Sequence, residues 1–408
     1  MKILLINHYA GSPALGMEFR PYYMAREWKK LGHETLIIGG SFSHLRREQP
    51  AVSDTNIDGI NYYWIKVNKY KGNGIGRIFS MFLFIFKLFF RYKYYLGDFR
   101  PDIVIASSTY PMDIYPAHRI ARHYKAKLIY EVHDLWPLSP MELGGYSKNH
   151  PFIRIVQCAE NYCYHHVDAV VSMLPAAEQH MADHGLAKGK FHYIPNGINI
   201  VEWTESACNQ NPYRKEIEAF RRNNYFVVCY AGGHALSNAL DFLLDSLKLI
   251  KDSKIICLLI GNGQEKKRLL ERANNEHIDN VIFLNPIPKN NIPSLLQSVD
   301  ALYIGWRKSS LYQYGISPNK LLDYMMSGKP IIHSVNAAND WVSDAKCGIS
   351  VEAENPQAIS NAILTLKNMQ ENERLRLGEN GRQFVMTHHT YKVLAKRFAD
   401  IMTHLLNK

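Results

Sequence analysis

The segment from Tyr314 to Ile332, YGISPNKLLDYMMSGKPII, holds residue types that fit an anion-binding site. Ser317 is a good N-cap and Pro318 suits the first helical position, so the pattern predicts that a helix begins here. Unpaired amide groups at that helix end, together with Lys320 in the first turn, form a site that fits a diphosphate. Asp323 follows one turn later, where its carboxylate can accept hydrogen bonds from a ribose diol. The alternative is an ordinary capped helix with Lys320 in solvent.

Two further loops in the second half of the chain follow apolar, strand-like runs and contain small residues. One carries Gly232, Gly233 and His234, and the other carries Gly261. Ligands of open α/β sheets bind at the carboxyl ends of the strands. Small residues let an anion approach free backbone amides closely. The sequence therefore predicts that both loops can bind an anion such as a phosphate.

Polar side chains in the first half also follow strand-like runs. His133 and Asp134 come directly after the run Leu128 to Val132, and Tyr110 lies in the loop after Ile103 to Ala106. A histidine beside an aspartate at a strand end is a candidate for catalysis or binding. The alternative is a structural pair that only orders its loop.

The first strand, Ile3 to Ile6, leads into a loop that contains Gly11 and Ser12. A helix is predicted after this loop, and Glu18 and Arg20 at its start are predicted to point into a cleft. A surface capping role is the alternative for Glu18. The loop has no dinucleotide fingerprint, so an oxidoreductase is not supported.

Strand-like runs alternate with helix-length segments along the whole chain, which predicts an α/β fold with parallel sheets. A length of 408 residues favours two domains, and 47% hydrophobic residues supply two cores. A polar run from Glu202 to Asn224 is interpreted as a linker with a connecting helix.

The motif from Tyr314 to Pro330 resembles the donor site of retaining glycosyltransferases of family 4, which have the GT-B fold. It is most similar to a branch written Ser-Pro-Asn-Lys-Leu-x-Glu/Asp-Tyr-Met-x-x-Gly-Lys-Pro, found in enzymes that build bacterial surface polysaccharides. In the wider family two glutamates lie eight residues apart. Asp323 matches the second of them, and Gly315 stands at the position of the first. The His-Asp-x-Trp-Pro stretch that begins at His133 is also similar to one in the family.

The resemblance implies two Rossmann-like domains that face each other across a cleft. Residues 1–200 are expected to bind the acceptor and residues 201–386 the nucleotide sugar. The last segment, residues 387–408, is expected to cross back to the first domain.

The resemblance also implies roles for single residues. We expect Lys320, His133 and Asn319 to act in catalysis, and Glu18, Arg20, Asp134 and Tyr110 to lie near the acceptor. The expected donor-binding residues are Gly11, Ser12, Gly232, Gly233, His234, Gly261, Ile287, Ser317, Pro318 and Asp323. The wider family clamps the diphosphate with an Arg and a Lys after the first strand of the second domain, and this chain has neither there. Lys320 is the first choice for the missing charge, with Arg307 and Lys308 as second choices.

The expected activity is transfer of a sugar, with retention, from a nucleotide-diphosphate donor to a lipid-linked or oligosaccharide acceptor. Such a step belongs to the synthesis of O-antigen, lipopolysaccharide or capsule. UDP and GDP remain open as carriers, and an aminosugar such as N-acetyl-fucosamine fits the resembling branch. The donor is a substrate, so no cofactor is expected, and the absence of an Asp-x-Asp motif among the cleft candidates argues against a required metal. The alternatives are a non-hydrolysing sugar epimerase of the same fold and a non-catalytic membrane-associated adaptor.

Positive charge is concentrated near the amino terminus. The formal net charge is +11, and residues 1–100 hold fifteen Lys and Arg against seven Asp and Glu. Such a patch favours an anionic partner. No nucleic-acid-binding signature is present, so lipid or a lipid-linked phosphate is favoured over nucleic acid.

Residues 74–96 combine basic side chains with many Phe and Tyr residues. Their uncharged core, from Ile78 to Phe86, is far shorter than the roughly 20 residues that a membrane-spanning helix needs. The composition is typical of a helix that lies in a membrane interface. A helix packed on its own sheet is the alternative, and both hold if only one face is core.

The six cysteines are scattered and no pair has zinc-ligand spacing, which predicts buried, reduced thiols in a cytosolic protein. The start of the chain is too short and strand-like for a signal peptide. The expected location is the cytoplasm, peripheral on the inner face of the membrane.

Overall fold

A computed structural model describes residues 1–72, 74–205, 211–251 and 253–408. The chain forms two compact units. The first comprises Met1–Gly197, Tyr314–Ser317 and Tyr391–Lys408, and the second comprises Ile198–Gln313 and Pro318–Thr390. Each unit is built on one sheet, and the predicted α/β fold with two Rossmann-like halves is confirmed.

The first unit contains an eight-stranded sheet in the order β3-β4-β2-β1-β5-β6-β7-β8, parallel except for the β3–β4 pair. The strands are β1 (Lys2–Ile6), β2 (Glu34–Gly40), β3 (Asp54–Ile57), β4 (Ile60–Ile65), β5 (Ile103–Ala106), β6 (Lys127–Val132), β7 (Ala169–Ser172) and β8 (Phe191–Tyr193). Its helices are α1 (Arg20–Lys30), α2 (Ile75–Leu96), α3 (Ile114–Tyr124), α4 (Leu138–Gly144), α5 (Pro151–His166) and α6 (Glu178–Asp183).

The second unit contains a six-stranded parallel sheet in the order β11-β10-β9-β12-β13-β14. The strands are β9 (Phe226–Ala231), β10 (Ile255–Ile260), β11 (Val281–Leu284), β12 (Ala301–Gly305), β13 (Ile331–Ser334) and β14 (Gly348–Val351). Its helices are α7 (Val201–Glu205), α8 (Arg214–Arg222), α9 (Leu240–Lys248), α10 (Lys266–Asn275), α11 (Ile292–Ser298), α12 (Asn319–Met326), α13 (Trp341–Asp344), α14 (Pro356–Asn368) and α15 (Glu371–His388).

The last helix, α16 (Tyr391–Leu406), belongs to the first unit and packs against α1. Its side chains Leu394, Phe398 and Met402 are fully buried in the same core as the β1 strand. Trp28 of α1 donates a hydrogen bond from its indole to the carbonyl of Ala395 at 3.0 Å. Helix α16 therefore shares one hydrophobic core with β1 and α1.

The order of the strands reverses at one point in each sheet, and open α/β sheets bind ligands at such points. In the first sheet β1 lies between β2 and β5, and in the second β9 lies between β10 and β12. The loops after β1, β5, β9 and β12 are therefore the natural places for a site.

The hairpin of β3 and β4 is absent from the sequence prediction, although its turn is Asp58-Gly59, a strong hairpin signal. Within the described residues, Cys163, Cys229, Cys257 and Cys347 are buried and Cys158 is exposed. Cys208 lies outside the described residues, as do residues 206–210 of the predicted linker.

Candidate active site

Lys320 lies in the first turn of α12 and reaches the loop after β9. Its Nζ donates to the hydroxyl of Tyr230 at 2.9 Å and to Oδ1 of Asn238 at 2.7 Å. Among the described residues no ion pair involves Lys320. Burial lowers the pKa of Lys320 to about 8. A half-buried ammonium group without a carboxylate partner is well suited to receive an anion.

The start of α12 differs from the prediction by one residue. Pro318, not Ser317, occupies the N-cap position, and the helix begins at Asn319. The hydroxyl of Ser317 instead accepts from the backbone N–H of Asn196 at 2.8 Å, and the Asn196 side chain donates to the Ser317 carbonyl at 2.6 Å. Because Asn196 uses this hydroxyl, Ser317 has no part in capping the helix. Asn319 is exposed at the helix start.

Gly315, two residues earlier, has a φ of +106°. Side chains other than glycine rarely adopt such a backbone conformation. The family's glutamate is therefore replaced here by a residue that the local backbone requires.

The loops after β9 and β10 pack backbone against backbone. A Cβ atom on Gly261, whose φ is +149°, would lie 1.9 Å from the carbonyl oxygen of Gly232. The carbonyl of Gly233 accepts from the hydroxyl of Tyr230 at 2.6 Å and from Asn238 at 2.9 Å. The predicted glycines are thus brought together with the partners of Lys320.

His234 is fully buried in this cluster, and neither ring nitrogen has a hydrogen-bond partner. Burial lowers the pKa of its imidazole to about 4, and the nearby Lys266 and Lys320 add to the effect. The ring is therefore neutral at physiological pH and cannot replace the missing cationic clamp. Both nitrogens are buried as well, so His234 is placed beneath the glycine loop and does not contact the donor as predicted.

Lys266, at the first position of α10, is a residue that the sequence analysis missed. Its Nζ donates to the carbonyls of Gly261 and Leu284, both at 2.8 Å. The sequence pattern that indicates Lys266 is a lysine five residues after the glycine at the end of a strand. It gives the second unit another cation beside the glycine loops.

Arg307 and Lys308, the second choices for the missing charge, already face carboxylates. Arg307 lies 3.8 Å from Glu354, and Lys308 lies 2.7 Å from Glu352. Both charges are therefore partly neutralised, which leaves Lys320 as the favoured cation.

Asp323 accepts a hydrogen bond from the indole of Trp203 at 3.3 Å. Burial raises the pKa of Asp323 to about 6, with Lys289 opposing the rise and Glu202 adding to it. Ile287 is half-buried and packs on the core of the same unit. Both residues lie in the second unit.

In the first unit, His133 belongs to a buried hydrogen-bond network centred on Glu131. Its Nε2 lies 3.0 Å from the hydroxyl of Ser107 and 3.4 Å from Oε2 of Glu131. Ser107 donates to the same carboxylate oxygen at 2.6 Å, and Arg20 donates to the other oxygen at 3.0 Å. Although burial favours the neutral form, Arg20, His133 and Ser107 lower the pKa of Glu131 to about 2.

The network extends to the loop formed by residues 194–196, which is hydrogen-bonded to Ser317. Arg20 donates to the carbonyl of Pro195 at 2.6 Å and to that of Ile194 at 3.1 Å. The next residue, Asn196, makes the two hydrogen bonds to Ser317. Arg20 is only 1% exposed, so it orders this loop and does not contact an acceptor as predicted.

Tyr110 also differs from its predicted role near the acceptor. It is fully buried, and its hydroxyl lies 2.8 Å from Nδ1 of His8. Its ring packs in a small core with Tyr9 and Met112. Glu18 is half-buried ahead of α1. The loop with Gly11 and Ser12 closes on itself, because the Gly11 N–H donates to the Glu18 carbonyl at 2.8 Å.

Asp134 borders a cavity of about 320 Å³ in the first unit. Its carboxylate accepts from the hydroxyl of Ser139 at 2.6 Å, and burial raises its pKa. The cavity is largely apolar, and its lining includes Arg77, Ile78, Met81, Trp136, Leu143 and Phe152. The guanidinium of Arg77 lies 6.0 Å from the centre of the Trp136 ring, so this apolar space has a cation beside it.

Two family models match the chain in adjacent stretches. Residues 15–202 match "Glycosyltransferase Family 4", and residues 214–384 match "Glycosyl transferases group 1". The two matches fall on the first and second halves of the chain, one for each sheet.

Two curated relatives match part of the chain. An uncharacterized glycosyltransferase of Methanocaldococcus jannaschii, MJ1069, is 25% identical over 247 residues, which are 59% of each protein. The putative colanic acid biosynthesis glycosyl transferase WcaI of Escherichia coli is 22% identical over 232 residues, 55% of each. The chain thus spans less than three-fifths of either relative's length.

A solved structure of Anabaena Alr3699/HepE in complex with UDP-glucose matches with a TM-score of 0.68 and 15% identity. The match covers 99% of this chain and 100% of that one, and it shows a shared fold. Together the two family models match most of the chain, and with this fold they support a glycosyltransferase of the family 4 type with the GT-B fold.

Proposed function

We propose that the protein transfers a sugar, with retention of configuration, from a nucleotide-diphosphate donor to a lipid-linked or oligosaccharide acceptor. The observation that carries this proposal is the Nζ of Lys320, an ammonium group to which no carboxylate of the described residues is paired. It lies beside the glycine loops at the strand reversal of the second sheet. The UDP-glucose complex of the Anabaena protein supports a nucleotide sugar as donor. The colanic acid relative supports surface polysaccharide, such as O-antigen or capsule, as the product.

The proposed chemistry places charge stabilisation in the second unit. As the bond between the sugar and the diphosphate breaks, negative charge develops on the departing phosphate, which takes the proton of the acceptor hydroxyl as that oxygen attacks from the same face. Lys320 and the amide groups at the start of α12 stabilise that charge.

We assign binding of the acceptor to residues of the first unit. His133, held by Ser107 and Glu131, contacts the reacting sugar or the acceptor. The apolar cavity beside Asp134 binds the hydrocarbon that adjoins the acceptor's phosphate. The positive charge of Arg77 complements the negative charge of that phosphate. An aminosugar such as N-acetyl-fucosamine is the proposed donor sugar, because the Ser-Pro-Asn-Lys motif resembles the branch of the family that such a donor fits.

A screen of UDP, GDP and their sugars for protection against heat tests this function first. We expect one nucleotide series to raise the Tm, and the protected sugar then to be transferred to a lipid-linked acceptor with its anomeric configuration kept. Interconversion of the free donor without an acceptor would instead identify an epimerase. Protection by none of these compounds would favour the non-catalytic adaptor.

Asp323 should make donor binding depend on pH. Because burial raises its pKa to about 6, the carboxylate that accepts from the ribose is lost as the pH falls through 6. Hydrogen bonds to a charged group contribute about 1.5–3 kcal/mol, so we expect Asp323→Asn to weaken nucleotide binding about tenfold or more at pH 7.5. Calorimetric titration between pH 5 and 7.5 measures this effect.

The nucleotide itself also titrates in this pH range. Comparing the Asp323 variant with wild type cancels that effect, because it is the same for both proteins. We expect the wild-type affinity to fall more steeply below pH 6 than that of Asp323→Asn. Asp344→Asn on α13 is the matched control, since burial also raises the pKa of Asp344. Equal affinities and parallel pH profiles for wild type and Asp323→Asn would remove Asp323 from the donor site.

Helix α2 supports the proposed attachment to a membrane on the cytoplasmic side. One face is buried in the first unit, through Phe84 and Leu88. The other face exposes a row of apolar side chains, which we call the aromatic ridge. The ridge consists of Ile75, Phe79, Phe82, Phe86, Phe90 and Tyr94. No helix of the described residues is long and apolar enough to cross a bilayer.

The charges around the aromatic ridge favour an anionic bilayer as its partner. Lys66, Lys69, Lys71, Arg91 and Lys93 are exposed on or near α2. Each basic residue near anionic lipid contributes about 1 kcal/mol. Apolar insertion and charge together give an attachment that salt weakens.

Replacing Phe86 and Phe90 by serine should reduce binding to anionic vesicles about tenfold or more. Each Phe side chain contributes about 1.5–3 kcal/mol to binding when it is buried in the bilayer, and serine does not. Co-sedimentation with vesicles of phosphatidylserine and phosphatidylcholine measures the change. Leu270→Ser and Leu375→Ser, on exposed positions of the second unit, are the matched control. Wild-type protein that stays in the supernatant at low salt would contradict the attachment.

A further inference from the structure

Three side chains of the first unit, outside the network of His133, form a cluster of metal-ligand types. They are Glu160 on α5, His180 on α6 and His184 at the end of α6, and their ligand atoms all lie within 4.8 Å of one another. Nε2 of His180 is 3.0 Å from Oε1 of Glu160. The rings of His180 and His184 are 4.4 Å apart, and Glu160 is only 1% exposed. The cluster therefore combines a buried carboxylate with two partly buried imidazoles.

Neighbouring groups already orient these side chains. Gln157 donates to Oε2 of Glu160 at 2.7 Å, and the hydroxyl of Tyr164 donates to Oε1 at 3.1 Å. Nδ1 of His184 lies 2.8 Å from the backbone carbonyl of His180. Because a carbonyl only accepts, this nitrogen carries the proton, and Nε2 of His184 keeps its lone pair. Metal-binding histidines are held in this way by a hydrogen bond from the other ring nitrogen.

We propose that Glu160, His180 and His184 form a binding site for a divalent transition metal of the Zn²⁺ type. Two imidazoles and one carboxylate suit Zn²⁺, with water in the fourth tetrahedral position, whereas Ca²⁺ and Mg²⁺ prefer oxygen ligands. Bonds of about 2.0–2.2 Å require the three ligand atoms to close to about 3.3 Å from one another. Rotation of the two partly exposed rings achieves this. The ion replaces the hydrogen bond between His180 and Glu160, and the Nε2 proton of the neutral His180 imidazole moves through solvent to Nδ1, so that Nε2 is free to bind the ion.

The position of the site gives the ion a structural role. The ring of His180 meets the ring of Tyr314 edge-on at 5.3 Å, and the N–H of Ala176 donates to the carbonyl of Tyr314 at 3.0 Å. Tyr314 begins the segment of the first unit that ends at Ser317. A bound ion ties α5 to α6 beside this segment and steadies it.

Titration of the untagged full chain, after removal of metals with a chelator, tests the site. With Zn²⁺ we expect one strong calorimetric site and a rise in Tm. With Co²⁺ we expect the intense visible absorption of tetrahedral coordination. Because the ligands must be deprotonated to bind a metal, binding should weaken as the solution is acidified.

His184→Gln is the main variant, because this side chain is only partly buried, and circular dichroism checks the fold. We expect it to lose Zn²⁺ affinity at least about tenfold and to lose the Co²⁺ spectrum. His165→Gln is the matched control, because Nδ1 of His165 also bonds a carbonyl four residues earlier, that of Asn161 at 2.7 Å. The same Zn²⁺ affinity in wild type and in a folded His180→Gln/His184→Gln variant would overturn the proposal. An equal loss in His165→Gln would overturn it as well.

Discussion

Replacing Lys320 by alanine is expected to lower the rate of sugar transfer by about 10²–10³-fold while the protein remains folded. The variant removes the ammonium group that lies at the glycine loops of the second unit and that no carboxylate neutralises among the described residues. The charge that develops on the departing diphosphate then lacks its nearest cation. A transfer assay with saturating donor measures kcat, and thermal unfolding checks the fold.

The stability of the Lys320 variant separates a catalytic role from a structural one. Burial lowers the pKa of Lys320 from 10.5 to about 8, which shows that the folded state disfavours the charged form. Lys320→Met, which keeps the hydrocarbon stem, should therefore unfold at the same temperature as wild type or above it at pH 7. Lys267→Ala removes an exposed lysine of α10 as a control. Near-normal turnover by both Lys320 variants would contradict the proposed mechanism.

Glu131→Gln is expected to cost about 3–5 kcal/mol of unfolding free energy, because it leaves the guanidinium of Arg20 buried without its carboxylate. The loss should be greatest above pH 4.5, where wild-type Glu131 is ionised in both the folded and the unfolded state. It should shrink as the pH falls towards 2, where the folded-state carboxylate is protonated as well. Urea unfolding at several pH values measures both effects.

A double variant tests whether the two buried charges act as a pair. Arg20→Met with Glu131→Gln removes both charges, so we expect it to recover much of the stability that Glu131→Gln loses. Nucleotide binding should persist in each folded variant, because the groups around Lys320 lie in the second unit. Additive losses in the double variant would show that Arg20 and Glu131 do not depend on each other.

Local patterns were sufficient to predict most strands from the sequence. The predicted run Ile103 to Ala106 has the bounds of β5, and the runs Ile3 to Ile6 and Leu128 to Val132 begin one residue after β1 and β6 do, since each is a short apolar stretch followed by a turn. The hairpin of β3 and β4 was missed because Asn56, Asn61 and neighbouring polar residues hide its strand pattern. Its Asp58-Gly59 turn was the signal available.

Contacts between distant residues account for what the sequence analysis missed at the site. Arg20 stands at a helix start, where a side chain facing a ligand is a reasonable prediction, but its partner Glu131 is 111 residues away. Nothing near Arg20 indicates that it is buried. A single carboxylate within the apolar strand β6 was the only local hint of Glu131. Pairing across a sheet depends on topology, which periodicity does not specify.

The burial of α16 within the first unit affects how the protein is made. Domains generally fold from the amino terminus while the ribosome is still adding residues. Most of the first unit is synthesised first, yet Phe398 and Met402 of the same core follow only after the second unit. Until α16 has been synthesised, Trp28 and its neighbours present an unfilled apolar groove to solvent. A premature stop codon near Tyr391 would therefore harm the half of the molecule that was translated earliest, and chaperones are expected to guard that groove during synthesis.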